Sequence, residues 1–170
     1  TSWARVKEYN RKNEILAEKA EKAGTLGNWL GVLPNAGNEE ISKAWDKILI
    51  NQFHDVLPGS SIPYQYEVTY NNQELAKNLL NNVQNDGLQA IAYKADTNVD
   101  GTPVLVFNPL SWERSDMVET TVSFADAVPE QIAVYDGDSL VPSTVTSRDE
   151  EKKTATIRFQ ANNLPSVGFK

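Results

Sequence analysis

The 170-residue sequence contains one histidine and no cysteine. Disulfides, zinc fingers, iron–sulfur clusters and cysteine nucleophiles are therefore excluded, and any imidazole chemistry passes through His54. His54 would also be the sole available base of a Ser–His–Asp arrangement. It stands beside Asp55 in the segment Asn51-Gln-Phe-His-Asp-Val-Leu-Pro-Gly-Ser-Ser-Ile62, where a helical pattern gives way to a Pro-Gly turn. Imidazole and carboxylate together could ligate a metal such as zinc. A turn on a rigid scaffold also lets a ligand approach backbone closely. The same residues have a purely local reading. A histidine near a helix C-terminus suits the dipole, Asp55 could hydrogen-bond the turn, and Ser60 or Ser61 could cap a helix. The pair by itself leaves both readings open.

The elements that must position this segment read as an α+β chain in two parts. Residues 1–95 are helical. Val6, Tyr9, Leu16, Ala20 and Ala23 fall at three- and four-residue steps among many Lys and Glu, and Gly24 and Gly27 are expected to end the first helix. Lys12, Lys19 and Lys22 read as a solvated face. Gly31 to Gly37, with Pro34 and Asn35 between, is a loop. Asn38 is expected to cap a second helix, with Glu39 and Glu40 in its first turn and Ile41, Trp45, Ile48, Leu49, Gln52 and Phe53 along one face. Trp45 and Phe53 are accordingly expected in the core rather than as a stacking platform. Ser61 is expected to cap a third helix with Pro63 in its first turn. This helix turns Val68, Leu75, Leu79, Val83, Ala90 and Ile91 inward and Asn71, Asn72, Asn78, Asn81 and Asn82 outward. Short connections between three helices imply an antiparallel three-helix bundle.

Residues 96–170 change period. Asp96 to Pro103 is a linker by composition. Alternating, β-branched runs follow at 103–107, 117–124, 131–135, 140–146 and 154–159, with Asp136-Gly-Asp as a hairpin turn. Such runs suggest the first antiparallel strands of a β-sandwich-like domain. Their small core and exposed final edge read as the N-terminal part of a larger β domain. The first residue is Thr, and the last segment still reads as a strand, so a piece of a longer protein is expected.

Hydrophobic residues make up 40% and charged residues 23%, sufficient for a packed core. A net charge of −7 argues against nucleic acid as a partner. No apolar run reaches the ~18–20 residues that span a bilayer, so no membrane is expected.

The longer pattern is more specific than the His-Asp pair. Ala44-Trp45, Leu49 and the whole run from Asn51 to Ile62 closely resemble the metal-site segment of family-38 glycoside hydrolases, the α-mannosidases. Downstream, Val106-Phe-Asn-Pro-Leu-Ser-Trp-Glu-Arg114 resembles the start of that family's C-terminal β region. The resemblance spans essentially the whole chain, a helical middle domain followed by the first strands. It implies that His54 is one ligand of an active-site Zn2+ otherwise held by a His and two Asp of an N-terminal catalytic domain. Asp55 would contact mannose hydroxyls in the −1 subsite, and Ser60 aligns with a small hydroxyl residue lining the same pocket. Many animal Golgi and lysosomal relatives carry a second histidine where this chain has Phe53. The Gln-Phe-His-Asp form resembles the bacterial and cytosolic branch.

The implied reaction is retaining hydrolysis of terminal α-mannosides, in which one carboxylate is the nucleophile and a second carboxyl group is acid and then base. In the family the nucleophilic Asp also ligates zinc, and the metal holds vicinal hydroxyls. Neither catalytic carboxyl lies in the segments that resemble the family. Asp46, Glu67 and Asp86 are not assigned to those roles, and the isolated chain is expected to be inactive. Expected partners are a mannose-containing glycan, the N-terminal catalytic domain and a second copy in a homo-oligomer. A cytoplasmic location is expected from the absent cysteines and the bacterial-type motif. The competing expectation is a non-catalytic helical and β module that binds carbohydrate or a protein partner, with His54 and Asp55 buried in structural hydrogen bonds.

Overall fold

The computed structural model describes residues 3–170, and the fold is α+β: three helices followed by short antiparallel strands. The chain divides into two compact units, Thr1–Asp96 and Thr97–Lys170.

In the first unit, α1 spans Ala4–Trp29, α2 Asn38–Ile50 and α3 Pro63–Lys94. Cross-helix neighbours show that α1 and α3 run parallel. Trp3 stacks on Tyr66, Asn13 meets Gln73, and Gly27 faces Ala90. The shorter α2 runs antiparallel to both. The buried positions of α1 are Val6, Asn10, Asn13, Ala17, Ala20, Ala23, Gly24 and Gly27. Those of α3 are Tyr66, Thr69, Gln73, Ala76, Leu80, Val83, Gly87, Ala90 and Ile91. Apart from the adjacent pairs Ala23–Gly24 and Ala90–Ile91, both series step by three and four, the heptad pattern that keeps one stripe of each helix on a partner. Past Val6 and Tyr66 the stripe is polar (Asn10, Asn13, Thr69, Gln73), then apolar, and toward the other end rich in glycine and alanine. Ile41, Ala44 and Ile48 of α2 complete the apolar middle against Ala17, Ala20, Ala76 and Leu80, with Trp45 packed on its edge.

The helix limits differ from the expected ones for local reasons. Gly24 and Gly27 do not end α1. They lie inside it, where a Cβ on Gly27 would sit 2.7 Å from Leu33 Cδ1. The stop is Gly31, whose φ of +72° is a left-handed conformation that favours glycine. The N-cap of α2 is Gly37 rather than Asn38, and Asn35 Oδ1 accepts from the Gly37 amide at 2.8 Å. Ser61 does not cap α3. Ile62 is the N-cap, Pro63 opens the helix, and the Ser61 amide donates to Tyr66 Oη at 3.0 Å. Leu75, expected inside, is 47% exposed because Thr69, Gln73 and Ala76 hold the inward phase.

In the second unit, β2 (Arg114–Ser123), β6 (Thr154–Leu164) and β5 (Ser143–Asp149) form a three-stranded sheet in the order β2-β6-β5, after a short β1 (Phe107–Asn108). The central strand β6 alternates, burying Ala155, Ile157, Phe159 and Ala161 against Val122, Val128 and Val141. The Gly137-Asp138 turn joins β3 (Val134–Asp136) to β4 (Ser139–Val141), with Asp136 opposite Ser139. Three expected strands are shorter than their runs. Of 103–107 only Phe107 lies in a strand, of 131–135 only Val134 and Tyr135 do, and the 140–146 run is split by Pro142, which has no amide to donate. The strand β7 (Gly168–Phe169) pairs with β1. Asn108 is 1% exposed, and its Nδ2 donates toward the carbonyls of Trp112, Pro165 and Leu164 at 2.9, 2.9 and 3.2 Å. Its Oδ1 accepts from the Leu110 amide at 3.1 Å. The Asn-Pro-Leu-Ser-Trp segment is thus folded around one buried amide.

Candidate functional site

The α2 helix ends at Ile50, so residues 51–62 form a turn between α2 and α3 rather than the last face of a helix. Each helix of the bundle ties this turn down. Asn51, 1% exposed, donates from Nδ2 to the Lys47 carbonyl at 2.6 Å and so satisfies one of the terminal carbonyls of α2. Gln52 Nε2 donates across to α1, to Glu14 Oε1 at 2.8 Å and Asn10 Oδ1 at 3.1 Å. At the far end the Ser61 amide reaches Tyr66 of α3. Between these anchors the Val56 and Leu57 amides both donate to the Phe53 carbonyl, at 2.9 and 3.1 Å, and Val56 is buried at 6% exposure. Gly59, with φ +97°, follows Pro58 and turns the chain toward α3 in a conformation that favours glycine.

The side chains of Phe53, His54 and Asp55 project outward from this restrained backbone. His54 Nε2 lies 3.1 Å from Asp55 Oδ2, and the two side chains are 75% and 56% exposed. Asp55 Oδ1 accepts from Ser60 Oγ at 3.3 Å. The Phe53 ring lies against the imidazole, with centroids 4.2 Å apart. The three residues singled out from the sequence, His54, Asp55 and Ser60, are therefore brought together on one exposed turn. Phe53 and Leu49, expected in the core, are instead 54% and 55% exposed. Phe53 lies beyond the end of α2, and Leu49 is turned about 100° away from the stripe of Ile41, Ala44 and Ile48. Asp46, Glu67 and Asp86 lie outside the turn.

As a donor set, the turn offers one imidazole nitrogen and one or two carboxylate oxygens. No group of three or more His, Asp or Glu able to hold a metal ion occurs among the described residues. A zinc site needs about four ligands, so these residues fit zinc as contributors to a shared site and not as a complete one. Around the turn, Arg11 Nη1 pairs with Glu14 Oε2 at 3.1 Å, while Asn10 Nδ2 adds a second donor to Glu14 Oε1 at 2.9 Å. The anchoring residues on α1 were not legible in the sequence. The signal for them is that Asn10 and Asn13 keep the heptad phase of Val6 and Ala17.

The first unit is thus a three-helix bundle that presents one histidine and its neighbouring aspartate on the turn between its second and third helices. Comparison with protein families gives the family: the alpha mannosidase middle domain matches residues 1–91, and the chain belongs to it, within the family-38 glycoside hydrolases. A comparison with curated proteins finds no match. No helix among the described residues is long and apolar enough to cross a membrane.

Proposed function

We propose that this chain is part of a zinc-dependent, retaining α-mannosidase of the bacterial and cytosolic type, to which it contributes one metal ligand and a sugar-contacting carboxylate. The observation that carries the reading is the outward display of His54 beside Asp55 on the restrained turn of a matched mannosidase domain. A histidine used only to finish a helix has no need of three anchored helices beneath it.

In this reading His54 holds zinc through an imidazole nitrogen, and the remaining ligands come from protein surface outside this chain. Bound zinc supplies a template and a positive charge for vicinal sugar hydroxyls. Asp55 is an acceptor-only carboxylate suited to receiving hydrogen bonds from those hydroxyls. Ser60 restrains the Asp55 carboxylate by its own hydrogen bond and lines the same side of the turn. Leu49, Ile50, Phe53 and Ile62, which flank or lie within the turn in sequence, are all more than half exposed. Their apolar surface suits cover by the domain that supplies the other ligands. The nucleophile and the acid/base carboxyl belong to that domain too.

The alternative, a non-catalytic carbohydrate-binding or interaction module, requires His54 and Asp55 to be spent in buried structural bonds. Their exposure favours the enzyme reading. The test is His54→Ala in the full-length mannosidase carrying this chain, with bound zinc measured by elemental analysis and turnover measured on an aryl α-mannoside. Loss of one ligand is expected to weaken zinc binding by well over about tenfold, with activity falling in step. Stoichiometric zinc and an unchanged rate would sink the assignment.

A further inference from the structure

The polar cluster beneath the turn is more elaborate than a chain reversal needs. Gln52 is the residue of the turn whose side chain points inward to a neighbouring helix, and it uses one amide nitrogen for two acceptors on α1. One acceptor, Glu14, is a carboxylate already oriented from two sides, by Arg11 on one oxygen and by Asn10 on the other. The second acceptor, Asn10, is 7% exposed. Next to it on the same stripe, Asn13 donates to the carbonyl and side-chain oxygens of Gln73 at 2.9 and 2.6 Å, locking α1 to α3 at this level. The direction of donation is fixed by chemistry. A carboxylate can only accept, so the residue at 52 must bring N–H groups.

We infer that Gln52, held by Asn10 and Glu14, is a positioning residue that sets where the turn presents His54 and Asp55; this rests on the proposed role of His54. The side chain is two residues from His54 and one from the Phe53 carbonyl that closes the turn onto Val56 and Leu57. Fixing the Gln52 side chain to α1 fixes that carbonyl and the direction in which the next two side chains leave the backbone. A metal shared between separate elements tolerates little error in ligand placement, and groups that only orient a ligand typically change metal affinity by about 10–100-fold when removed. The device differs from the usual carboxylate behind an imidazole. Here the support acts on the backbone one step before the ligand.

The informative variant is Gln52→Glu, which keeps the length of the side chain and sets a carboxylate against Glu14 and the Asn10 carbonyl oxygen. Gln52→Met removes the donors without adding charge, and the double variant Glu14→Gln/Gln52→Glu reverses donor and acceptor across the same contact. Two measurements apply. In the 170-residue chain, hydrogen exchange at the Val56 and Leu57 amides is expected to quicken about tenfold or more in both single variants. Exchange at Leu80 and Ile91 in the bundle core is expected to stay at the wild-type rate, and the double variant to recover slow exchange at Val56 and Leu57. In the full-length mannosidase, zinc release to a chromogenic chelator is expected to quicken by about tenfold in Gln52→Glu and to return toward wild type in the double variant.

Unchanged exchange at Val56 and Leu57 overturns the inference. So does unchanged zinc release in Gln52→Glu where His54→Ala releases its metal. General loosening of the core amides with no recovery in the double variant also overturns it, since that marks a residue needed only for folding. Zinc retention in His54→Ala is a separate failure. It removes the metal reading of the turn and leaves the exchange result to decide whether Gln52 holds the backbone.

Discussion

Replacing Gly87 by alanine would put a methyl carbon where the backbone of α1 already runs. A Cβ on Gly87 would lie 2.7 Å from the Gly24 nitrogen and closer still to the Ala23 carbonyl group. None of these atoms belongs to a side chain that could rotate away, so the helices themselves would have to part by about 1 Å to regain ordinary contact distance. Alanine is intrinsically the better helix former, by about 1 kcal/mol. Overpacking against rigid neighbours costs about 1–3 kcal/mol, and here the upper end applies because the obstacle is backbone. Separation would also loosen the contacts of Gly27 with Ala90 and of Gly24 with Val83. The net expectation is a loss of about 2 kcal/mol, obtained as the overpacking cost less the propensity gain. Urea unfolding followed by circular dichroism at 222 nm reads mostly the three helices, and a loss of this size lowers the midpoint by about 1 M. Gly31→Ala is the control. Its site has open space but φ +72°, so its cost of about 1 kcal/mol comes from conformation alone. A Gly87→Ala protein as stable as the parent, or more stable, would refute the close α1–α3 contact and with it the seam.

Two other perturbations probe different parts of the chain. Asn108→Ala removes the amide that serves the carbonyls of Trp112, Leu164 and Pro165, and should destabilise the β unit by about 2–3 kcal/mol, read as a lower thermal midpoint with unchanged helical signal. A change below about 0.5 kcal/mol would mean the motif is not organised by this residue. Glu74 accepts from Tyr9 Oη at 2.6 Å and pairs with Lys77, and these, the tyrosine first, hold its carboxyl below the ordinary glutamate range. Its stabilising contribution is present above the unfolded-state pKa and is lost as pH falls through the folded one. In Tyr9→Phe the Glu74 titration, followed by carboxyl carbon NMR, should move up, and an unmoved titration would contradict the bond.

The three helices, the change of period in the mid-90s and the hairpin at Gly137-Asp138 were legible because each leaves a local mark: apolar steps of three and four, a linker composition, a two-residue turn. The seam between α1 and α3 was not. Asn10, Asn13, Thr69 and Gln73 are polar, Gly24 and Gly27 read as helix stops, and Gly87 leaves no apolar mark, although all seven are buried. Their places are set by cross-helix partners some 60 residues away, such as Asn13 with Gln73, which no local window contains. Large side chains misled in the opposite sense. Phe53, Leu49 and Leu75 are apolar and exposed, Phe53 because α2 has already ended and the two leucines because other residues occupy the inward phase. The placing of His54, Asp55 and Ser60 on one turn followed from a continuous segment. The grip of Gln52 on Asn10 and Glu14 joins positions far apart in sequence and needed the folded bundle.

The graded stripe between α1 and α3 has a consequence for axial alignment. A uniform apolar stripe would let one helix slide by seven residues against the other and still find similar neighbours. Here such a slide would set amides against the Ala17, Ala20 and Leu80 layer and drive larger side chains into the gap kept by Gly24 and Gly87. Every shifted alignment is penalised at both ends at once. The bundle therefore works as a vernier with a single zero mark, and the height at which the turn meets α1 is read off that scale.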